Sequence, residues 1–384
     1  MNSIRHRFSM PATVWTILVL AALLWSGHSS RAALMDDWPI KFHPHLDLQA
    51  SYDDNVLISS TNQLADFSFL ISPGLQLEYG NLDHNYLSLD YTMGIEEFYR
   101  LTTLNAINHD VVLKSLFQFS RVKLQIDHTF KDDTTEDFEA GTRLEQQQNL
   151  TSASAEYSVN QYFSIGALYH QEFHHFLTPG QIDNELFEPG VAIYYHVSPK
   201  TDVFGELDYG WANVSQGESA QFETANLGLR GKITSKITGN IGVGYEHRDF
   251  SGSSPSIDTV VSTVSLHGDF TKHTFADFTV ARQINPSSTT NASTSVTTTR
   301  ADLQVNQKIY REKFLVYVGG AYEHDEYSGV SRIDNIWEGR VGAKYFATKW
   351  LEFGASYRYQ HNASTATSIS FEQDLASVDA LLHF

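Results

Sequence analysis

The chain has 384 residues, a formal net charge of −19 and no cysteine, and aromatic residues make up 13% of it. The acidic balance disfavours nucleic acid as a partner, because that binding depends on Lys and Arg that neutralise phosphates. The lack of cysteine excludes a disulfide scaffold, which a large exported domain does not need.

The N-terminus has the features of an export signal. Arginines near the start precede a short apolar run over residues 14–25, and Ser30 and Ala32 offer small residues for a cleavage site. This pattern predicts a secretory signal peptide over residues 1–32, because the run is short for a membrane span; a retained anchor is the alternative. Residues 33–384 then form one domain with a net charge near −22, since the signal holds three arginines and no acid (−19 − 3).

Apolar and polar residues alternate in about 18 segments along the rest of the chain. Over residues 86–96, for example, Leu87 and Leu89 alternate with Ser88 and Asp90. A period of two predicts β-strands, and most segments have the ~10 residues of a tilted strand that spans a membrane. The predicted strands are 45–53, 67–79, 86–96, 110–119, 122–130, 150–158, 163–173, 187–197, 201–212, 222–233, 237–248, 259–270, 275–284, 299–309, 314–325, 335–346, 351–360 and 370–384.

The connections between these segments alternate in length. Tight turns at 120–121 and 198–200 alternate with longer polar loops such as 54–65. Outer-membrane barrels have short periplasmic turns and longer extracellular loops. The sequence therefore predicts an all-β fold, a transmembrane antiparallel up-and-down β-barrel of about 18 strands with both termini on the periplasmic side. A soluble β-sandwich, solenoid or propeller is the competing architecture.

The chain ends on a strand-like segment whose last residue is aromatic. Val378 and Phe384 share one face, while Ser377 and Asp379 share the other. An unpaired edge strand promotes aggregation, whereas closure of a barrel removes the edge. We therefore expect this strand to pair antiparallel with residues 46–52, with the face of Val378 toward lipid and that of Ser377 toward the lumen.

Charged residues recur on the polar face of the predicted strands. Closure by some 18 strands implies a water-filled lumen, and walls of charge tune the selectivity of pores. Our hypothesis is that basic residues from the second half of the chain line a path for an anionic solute or glycan, opposite an acidic wall from the first half. The alternative is paired charges that give little selectivity. The candidate lumen residues are Arg230, Lys232, Arg248, Arg300, Lys308, Arg340, Lys344, Arg358, Asp90, Glu96, Glu206 and Asp208.

The longest predicted loop, residues 131–149, is acidic. It either folds inward and narrows the pore or forms a solvated extracellular surface, and the second interpretation is favoured because such loops are more often solvated.

Two groups of residues offer metal-ligand chemistry without the spacing of an established site. Asp53, Asp54 and Asn55 supply oxygen ligands but match no EF-hand, so loop hydrogen bonding is the favoured interpretation. Four histidines lack the spacing of a zinc site, and we expect them to be scattered in the lumen and loops. We therefore predict no metal and no cofactor. These histidines are His170, His174, His175 and His196.

Three features resemble outer-membrane proteins of the β-barrel porin-2 family. The stretch 52–57 (YDDNVL) is similar to the start of that group, residues 65–67 (ADF) lead into 71–75 (ISPGL), and Phe384 resembles the aromatic C-terminus that the barrel-assembly machinery recognises. The resemblance implies a Gram-negative outer membrane, contact with lipid and lipopolysaccharide, and association with a polysaccharide secretion system. It brings no catalytic residues.

The leading functional interpretation is an outer-membrane channel for the export or passage of a polysaccharide or oligosaccharide. The alternatives are a general diffusion porin for small hydrophilic solutes and a structural or adhesive barrel that acts through its extracellular loops. No enzyme motif such as G-x-S-x-G or a P-loop is present in the sequence, so we expect no enzymatic activity. A charge-lined lumen with an inward loop favours a porin, a continuous cationic or aromatic track favours glycan export, and a plugged lumen favours the structural role.

Overall fold

A computed structural model describes residues 40–81, 85–289 and 294–384. Within these ranges the fold is almost entirely β, with a single 3-10 turn at Thr102–Leu104, and no helix there is long and apolar enough to cross a membrane. The strands are β1 (Ile40–Asp53), β2 (Asp66–Gly80), β3 (Asn85–Phe98), β4 (Ala106–Gln118), β5 (Val122–Asp137), β6 (Thr142–Ser158), β7 (Phe163–Phe176), β8 (Asn184–Ser198), β9 (Thr201–Val214), β10 (Ala220–Lys232), β11 (Ile237–Phe250), β12 (Ile257–Asp269), β13 (Thr274–Pro286), β14 (Ser295–Ile309), β15 (Phe314–Tyr327), β16 (Ile333–Phe346), β17 (Leu351–Ser364) and β18 (Phe371–His383).

The 18 strands form one closed antiparallel barrel. Each strand pairs with its neighbours in sequence, and β18 closes the ring on β1, with Leu46 opposite Leu382 and Tyr52 opposite Ala376. Closure satisfies the backbone hydrogen bonds of the terminal strands, which a bilayer core requires. The predicted fold class is confirmed, and so is the predicted pairing of the last strand with residues 46–52.

The two faces of the wall follow the predicted alternation. Val378 is 57% exposed on the outer face, and Leu227 of β10 is 72% exposed there. On the inner face Ser377 is buried and its hydroxyl lies 2.9 Å from that of Ser51 across the seam. An apolar outer belt and a polar inner face are what a barrel needs when lipid surrounds it and water fills it.

Residues 131–149 differ from the prediction. Instead of a loop they form a β-hairpin, because β5 continues to Asp137 and β6 begins at Thr142, directly opposite it in the ladder. The sequence over 131–137 is polar at nearly every position, so it lacks the apolar alternation that marks a wall strand. This hairpin does not face lipid, and alternation therefore has no physical cause there.

The predicted signal peptide, residues 1–32, lies outside the described residues, as do positions 82–84 and 290–293 of two connections. The short connections that are described, such as 119–121 and 199–200, lie on one rim together with the C-terminus. By the usual pattern of turn lengths this rim is periplasmic, and the other rim is extracellular.

Candidate functional site

The tip of the β5–β6 hairpin, residues 136–141, crosses the lumen. Its Glu139 carboxylate accepts hydrogen bonds from the Ser288 backbone N–H (2.9 Å), the Ser288 hydroxyl (2.9 Å) and the Thr289 hydroxyl (3.0 Å), and also from the Ser287 hydroxyl. These partners lie between β13 and β14, eight positions from the hairpin in a ring of 18 strands. The contact therefore joins nearly opposite sides of the barrel.

A second set of contacts holds the tip from the β15–β16 connection. The Arg332 guanidinium donates to the backbone carbonyls of Glu139 (2.9 Å) and Phe138 (3.3 Å). The same guanidinium pairs with Asp334, at 3.0 and 3.1 Å from Nε, and lies 4.1 Å from the centroid of the Tyr327 ring. Asp334 and Tyr327, on the same side of the barrel, thus hold the Arg332 side chain in place. From there it donates hydrogen bonds to two backbone carbonyls of the hairpin turn.

The tip also makes an aromatic contact and a close backbone contact with the wall. The rings of Phe138 and Phe371 lie 5.5 Å apart, and a Cβ built on Gly141 would lie 3.0 Å from the Ile369 side chain. Gly141 has a φ of +68°, a conformation that glycine adopts without a steric cost. The turn and its fit against the β17–β18 connection therefore both favour glycine.

The sides of the hairpin are tied to neighbouring walls by charge. Arg143 pairs with Glu96 of β3 at 2.6 Å, and Glu136 pairs with Arg358 of β17 at 3.3 Å. The Gln373 amide of β18 donates to Glu136 (2.7 Å) and to Asp53 (2.8 Å). Three strands of the wall, β3, β17 and β18, therefore contact this single inward element, and Gln373 links it to β1.

Two other connections fold over the same end of the barrel. In the β7–β8 connection the Ile182 N–H donates to the Ser288 carbonyl (2.8 Å). In the β1–β2 connection Val56 and Ile58 have no exposed surface, and Asn55 donates to the Glu372 carbonyl at 2.9 Å. The extracellular end is thus packed, and the β5–β6 hairpin is the element that reaches farthest across it.

The three residues weighed as oxygen ligands take part in this packing. Asp53 accepts a hydrogen bond from the Asn55 N–H (2.8 Å), and Asp54 accepts one from the Asp374 N–H (2.8 Å). These are turn and strand-end hydrogen bonds, in line with the interpretation as loop chemistry. Among the residues that the structure describes, no group of three or more candidate ligands is arranged to hold a metal ion.

The histidines weighed as metal ligands are each engaged with a carboxylate. His170 and His174 lie 3.0 and 3.5 Å from the two oxygens of Glu172 on β7. His196 lies 2.7 Å from Asp202, and His175 lies 2.8 Å from Asp183. Each pair is a local strand or loop contact.

Two of the predicted lumen cations lie against aromatic rings on the inner wall. Arg230 pairs with Glu156 (2.7 Å) and Asp202 (2.8 Å) and lies 3.5 Å above the Tyr194 ring. Arg248 is 1% exposed, pairs with Glu246 at 2.8 Å, and lies 4.4 Å above the Phe222 ring. A buried charge is costly unless it is paired, and both guanidiniums meet that condition.

Among the remaining predicted cations, Arg300 and Arg340 are outnumbered by carboxylates. Arg340 pairs with Asp302 (2.8 Å) and Glu338 (2.9 Å), and Arg300 pairs with Glu323 at 2.9 Å and lies 3.6 Å from Glu338. Two arginines therefore share three acids. Elsewhere Lys344 pairs with Glu352 at 2.7 Å. Lys232 and Lys308, in the same half of the chain, form no ion pair with any described residue.

The predicted acidic residues occupy three places on the inner face. Glu96 binds the hairpin through Arg143, and Asp90 lies 4.0 Å from His45. Glu206 and Asp208 border a cavity of about 380 Å³ inside the barrel, whose lining residues come from β5 to β10 and from β12. Asp127 and Glu188 also line this cavity, and His170 is its one basic side chain among the lining residues.

Sequence reasoning missed the residues that hold the hairpin. Glu139 and Arg332 lie in connections, where no periodicity marks a residue as inward-facing, and their partners lie 149 and 193 positions away in sequence. The acidic character of 131–149 was visible in the sequence. The sequence did not reveal which hydroxyl groups and arginines on the far side of the barrel would bind this hairpin.

Comparisons with known proteins place the barrel in a family. The sequence profile of the family described as "Putative beta-barrel porin 2" matches residues 41–384. The chain is similar to three outer-membrane structures: OpdK from Pseudomonas aeruginosa (TM-score 0.46, 11% identity, 90% of this chain and 99% of that chain), OccK2 (OpdF) from the same organism in complex with glucuronate (0.49, 8%, 90% and 98%), and a BenF-like porin from Pseudomonas fluorescens Pf-5 (0.48, 9%, 90% and 99%). No curated protein sequence matches the chain. Because the family match covers residues 41–384, the chain belongs to the "Putative beta-barrel porin 2" family of porin-like outer-membrane channels.

Proposed function

We propose that this barrel is a gated diffusion channel for small hydrophilic solutes and that the β5–β6 hairpin is its gate. The observation that carries the proposal is the set of hydrogen bonds from Ser287, Ser288 and Thr289 to Glu139, which joins the hairpin to the opposite wall. A solute entering from outside must pass this contact. The function rests on the lumen and involves no enzymatic step.

The strength of the closure supports a gate rather than a permanent plug. The tip is held by hydrogen bonds, the Glu136–Arg358 ion pair and one aromatic pair, and water can replace each polar contact when the hairpin moves. An ordinary hydrogen bond contributes about 0.5–1.5 kcal/mol net, and one to a charged group about 1.5–3 kcal/mol. The tip is therefore held by a few such terms, not by the large apolar area that fixes a core.

The charges of the lumen favour cations or neutral solutes. Arg300 and Arg340 share three acids, and the cavity beside Glu206 and Asp208 contains four carboxylates with one histidine. In this proposal the predicted lumen arginines act within ion pairs that keep the wall polar. The carboxylates that exceed the arginines in number then give the lumen a preference for cations. The basic residues alone had led us to expect a path for anions.

Reconstitution into planar bilayers tests this function. We expect discrete conductance steps and, in a salt gradient, a reversal potential of the sign that indicates cation preference. A preference for anions would overturn the assignment of selectivity, and the lack of any conductance would overturn the channel itself in favour of a structural or adhesive barrel.

Passage of an oligosaccharide is the second candidate. It is supported by the family resemblance and by the amide and hydroxyl groups of Gln125, Ser152 and Asn226 that line the 380 Å³ cavity. The inner rings of Tyr194 and Phe222 offer less support, because arginines cover them. Neutral oligosaccharides added to the periplasmic side would block the current if this candidate is right, whereas anionic ones would be repelled by the carboxylates.

The predicted partners complete the proposal. Export by a cleaved signal peptide over residues 1–32, insertion by the barrel-assembly machinery through the strand that ends at Phe384, contact with lipopolysaccharide and association with a polysaccharide secretion system are all proposed from sequence features. An outer-membrane location itself follows from the porin family and from the apolar outer face of the barrel.

A further inference from the structure

The periplasmic turns carry unpaired positive charge on a strongly acidic protein. Seven exposed cations lie in these turns, and none of them forms an ion pair with the residues that the structure describes. Their only side-chain hydrogen bond to a described residue runs from Lys236 Nζ to the Phe270 carbonyl at 2.7 Å. The seven are Arg121, Lys200, Lys236, Lys272, Arg311, Lys313 and Lys349.

The extracellular connections show the opposite arrangement. Their arginines are paired, Arg100 with Asp66 at 3.4 Å and Arg332 with Asp334. In the periplasmic turns that are fully described, Glu312 is the single acidic residue, and it lies 3.7 Å from His273. Unpaired cations are thus concentrated on one rim, and local ion pairing does not account for them.

Aromatic side chains set the depth of these cations in the membrane. Phe119, Phe270, Tyr310 and Trp350 are exposed within two residues of a turn cation, and Tyr310 is 73% exposed. Aromatic girdles of barrels lie at the level of the lipid headgroups. Lysine and arginine heads at the adjoining positions therefore lie at the level of the phosphates of the periplasmic leaflet, where basic side chains attract anionic lipid.

The distribution of the cations around the barrel indicates which kind of ligand they bind. The cations occupy the turns β4–β5, β8–β9, β10–β11, β12–β13, β14–β15 and β16–β17, mostly two strands apart. A compact protein or a single polymer strand would contact one side of such a ring, whereas lipids surround all of it. We propose that the periplasmic turns form a binding ring for anionic phospholipid headgroups of the inner leaflet, in which Lys and Arg contact the phosphates. This inference is independent of what passes through the lumen.

Fluorescence quenching by brominated lipids tests the ring. The full-length barrel is reconstituted with brominated phosphatidylglycerol or brominated phosphatidylcholine, and quenching of tryptophan emission, to which Trp350 on this rim contributes, gives the relative affinity. We expect wild type to prefer phosphatidylglycerol by roughly fivefold or more, since each cation near an anionic surface contributes about that factor. High salt should reduce the preference, because the sites are exposed.

Two triple variants that lose the same charge distinguish an effect of the rim cations from an effect of the protein's net charge. K200Q/K272Q/K349Q should abolish most of the preference. The control is the lumen variant K114Q/K123Q/K308Q, in which Lys114 and Lys123 lie on the inner face opposite Asp127 and Glu156 in the ladder, and it should retain the preference. Equal preference in all three proteins, or equal loss in both variants, would overturn the proposal. A rim that shows no lipid preference but binds a soluble anionic polymer in detergent would also overturn it, in favour of a polymer-docking surface.

Discussion

At the scale of single residues, Glu139 is the side chain on which the closed entrance depends. One carboxylate accepts four hydrogen bonds from Ser287, Ser288 and Thr289. The Glu139→Ala substitution removes all of them and leaves a buried Ser288 N–H without its acceptor. We expect the open probability in bilayer recordings to rise at least tenfold, because even one hydrogen bond to a charged group contributes about 1.5–3 kcal/mol.

Glu145 provides a matched control for that variant. It lies on the same hairpin with an exposed side chain, and its carbonyl, which accepts the Leu177 N–H at 2.8 Å, is retained on substitution. Glu145→Ala removes the same charge without touching the opposite wall, so its open probability should match wild type. An equal rise in both variants would show that net charge, and not the Glu139 contact, controls opening.

Glu218 gives a pH-dependent contact outside the membrane. Its carboxylate accepts the N–H groups of Ser253 (2.8 Å) and Ser254 (3.0 Å), and these hydrogen bonds lower the pKa of Glu218 from its usual 4.5. Because the folded pKa is below the unfolded value, the contact contributes at pH above the unfolded pKa and is lost as the pH falls through the folded pKa. It joins the β9–β10 connection to the β11–β12 connection.

Hydrogen exchange at Ser253 and Ser254 measures this contact. After correction for intrinsic rates, we expect both amides to be protected at neutral pH in wild type and to lose protection at acid pH. The Glu218→Gln variant should lack the pH dependence. Protection that stays constant across the acid range in wild type would contradict the role of the carboxylate.

The partners of the lumen cations could not be predicted from the sequence. Alternation placed Arg230, Arg340 and Lys344 on charged faces, but it could not show that each meets a carboxylate within 3 Å. Glu156 lies 74 positions before Arg230 in sequence. Pairing of this kind depends on the curvature of the closed ring, and no local pattern encodes it.

At the scale of elements, the wall strands could be predicted and the hairpin could not. A wall strand such as β18 separates lipid from water, so its side chains alternate and its register with β1 follows from which face is apolar. Neither face of the tip over 136–141 meets lipid: the tip contacts polar groups of other connections and, through Phe138, the Phe371 ring. Because the hairpin does not separate lipid from water, its sequence does not alternate, and residues 131–149 were therefore predicted to form a loop.

At the scale of the whole molecule, a barrel with these two faces has lipid outside its wall and water inside it. Leu227 and Asn226 are neighbours on β10 that lie on opposite faces: Leu227 is 72% exposed outward, and Asn226 borders the acidic cavity and donates to Asp208 at 3.3 Å. Leu227→Arg should destabilise the barrel by about 2–4 kcal/mol in bilayers, the cost of a cation on the lipid face.

Asn226→Arg is the companion variant for that test. It introduces the same side chain one position away, next to Glu206 and Asp208, and should leave the free energy of unfolding in vesicles nearly unchanged. Urea titration of both variants in lipid vesicles measures the difference. Equal destabilisation would contradict the assignment of faces, and with it the water-filled lumen.

The most direct test of the central claim, that the hairpin gates the channel, is a reversible lock between the hairpin tip and the wall. A Cβ on Gly141 would lie 3.7 Å from the Ile369 Cα, which is close enough for a disulfide, and the chain has no native cysteine to interfere. The measurement is the single-channel conductance of Gly141→Cys/Ile369→Cys before and after dithiothreitol. We predict that the oxidised barrel stays closed and that reduction restores openings at the wild-type level or above. Identical openings in the oxidised and reduced states would contradict the gate.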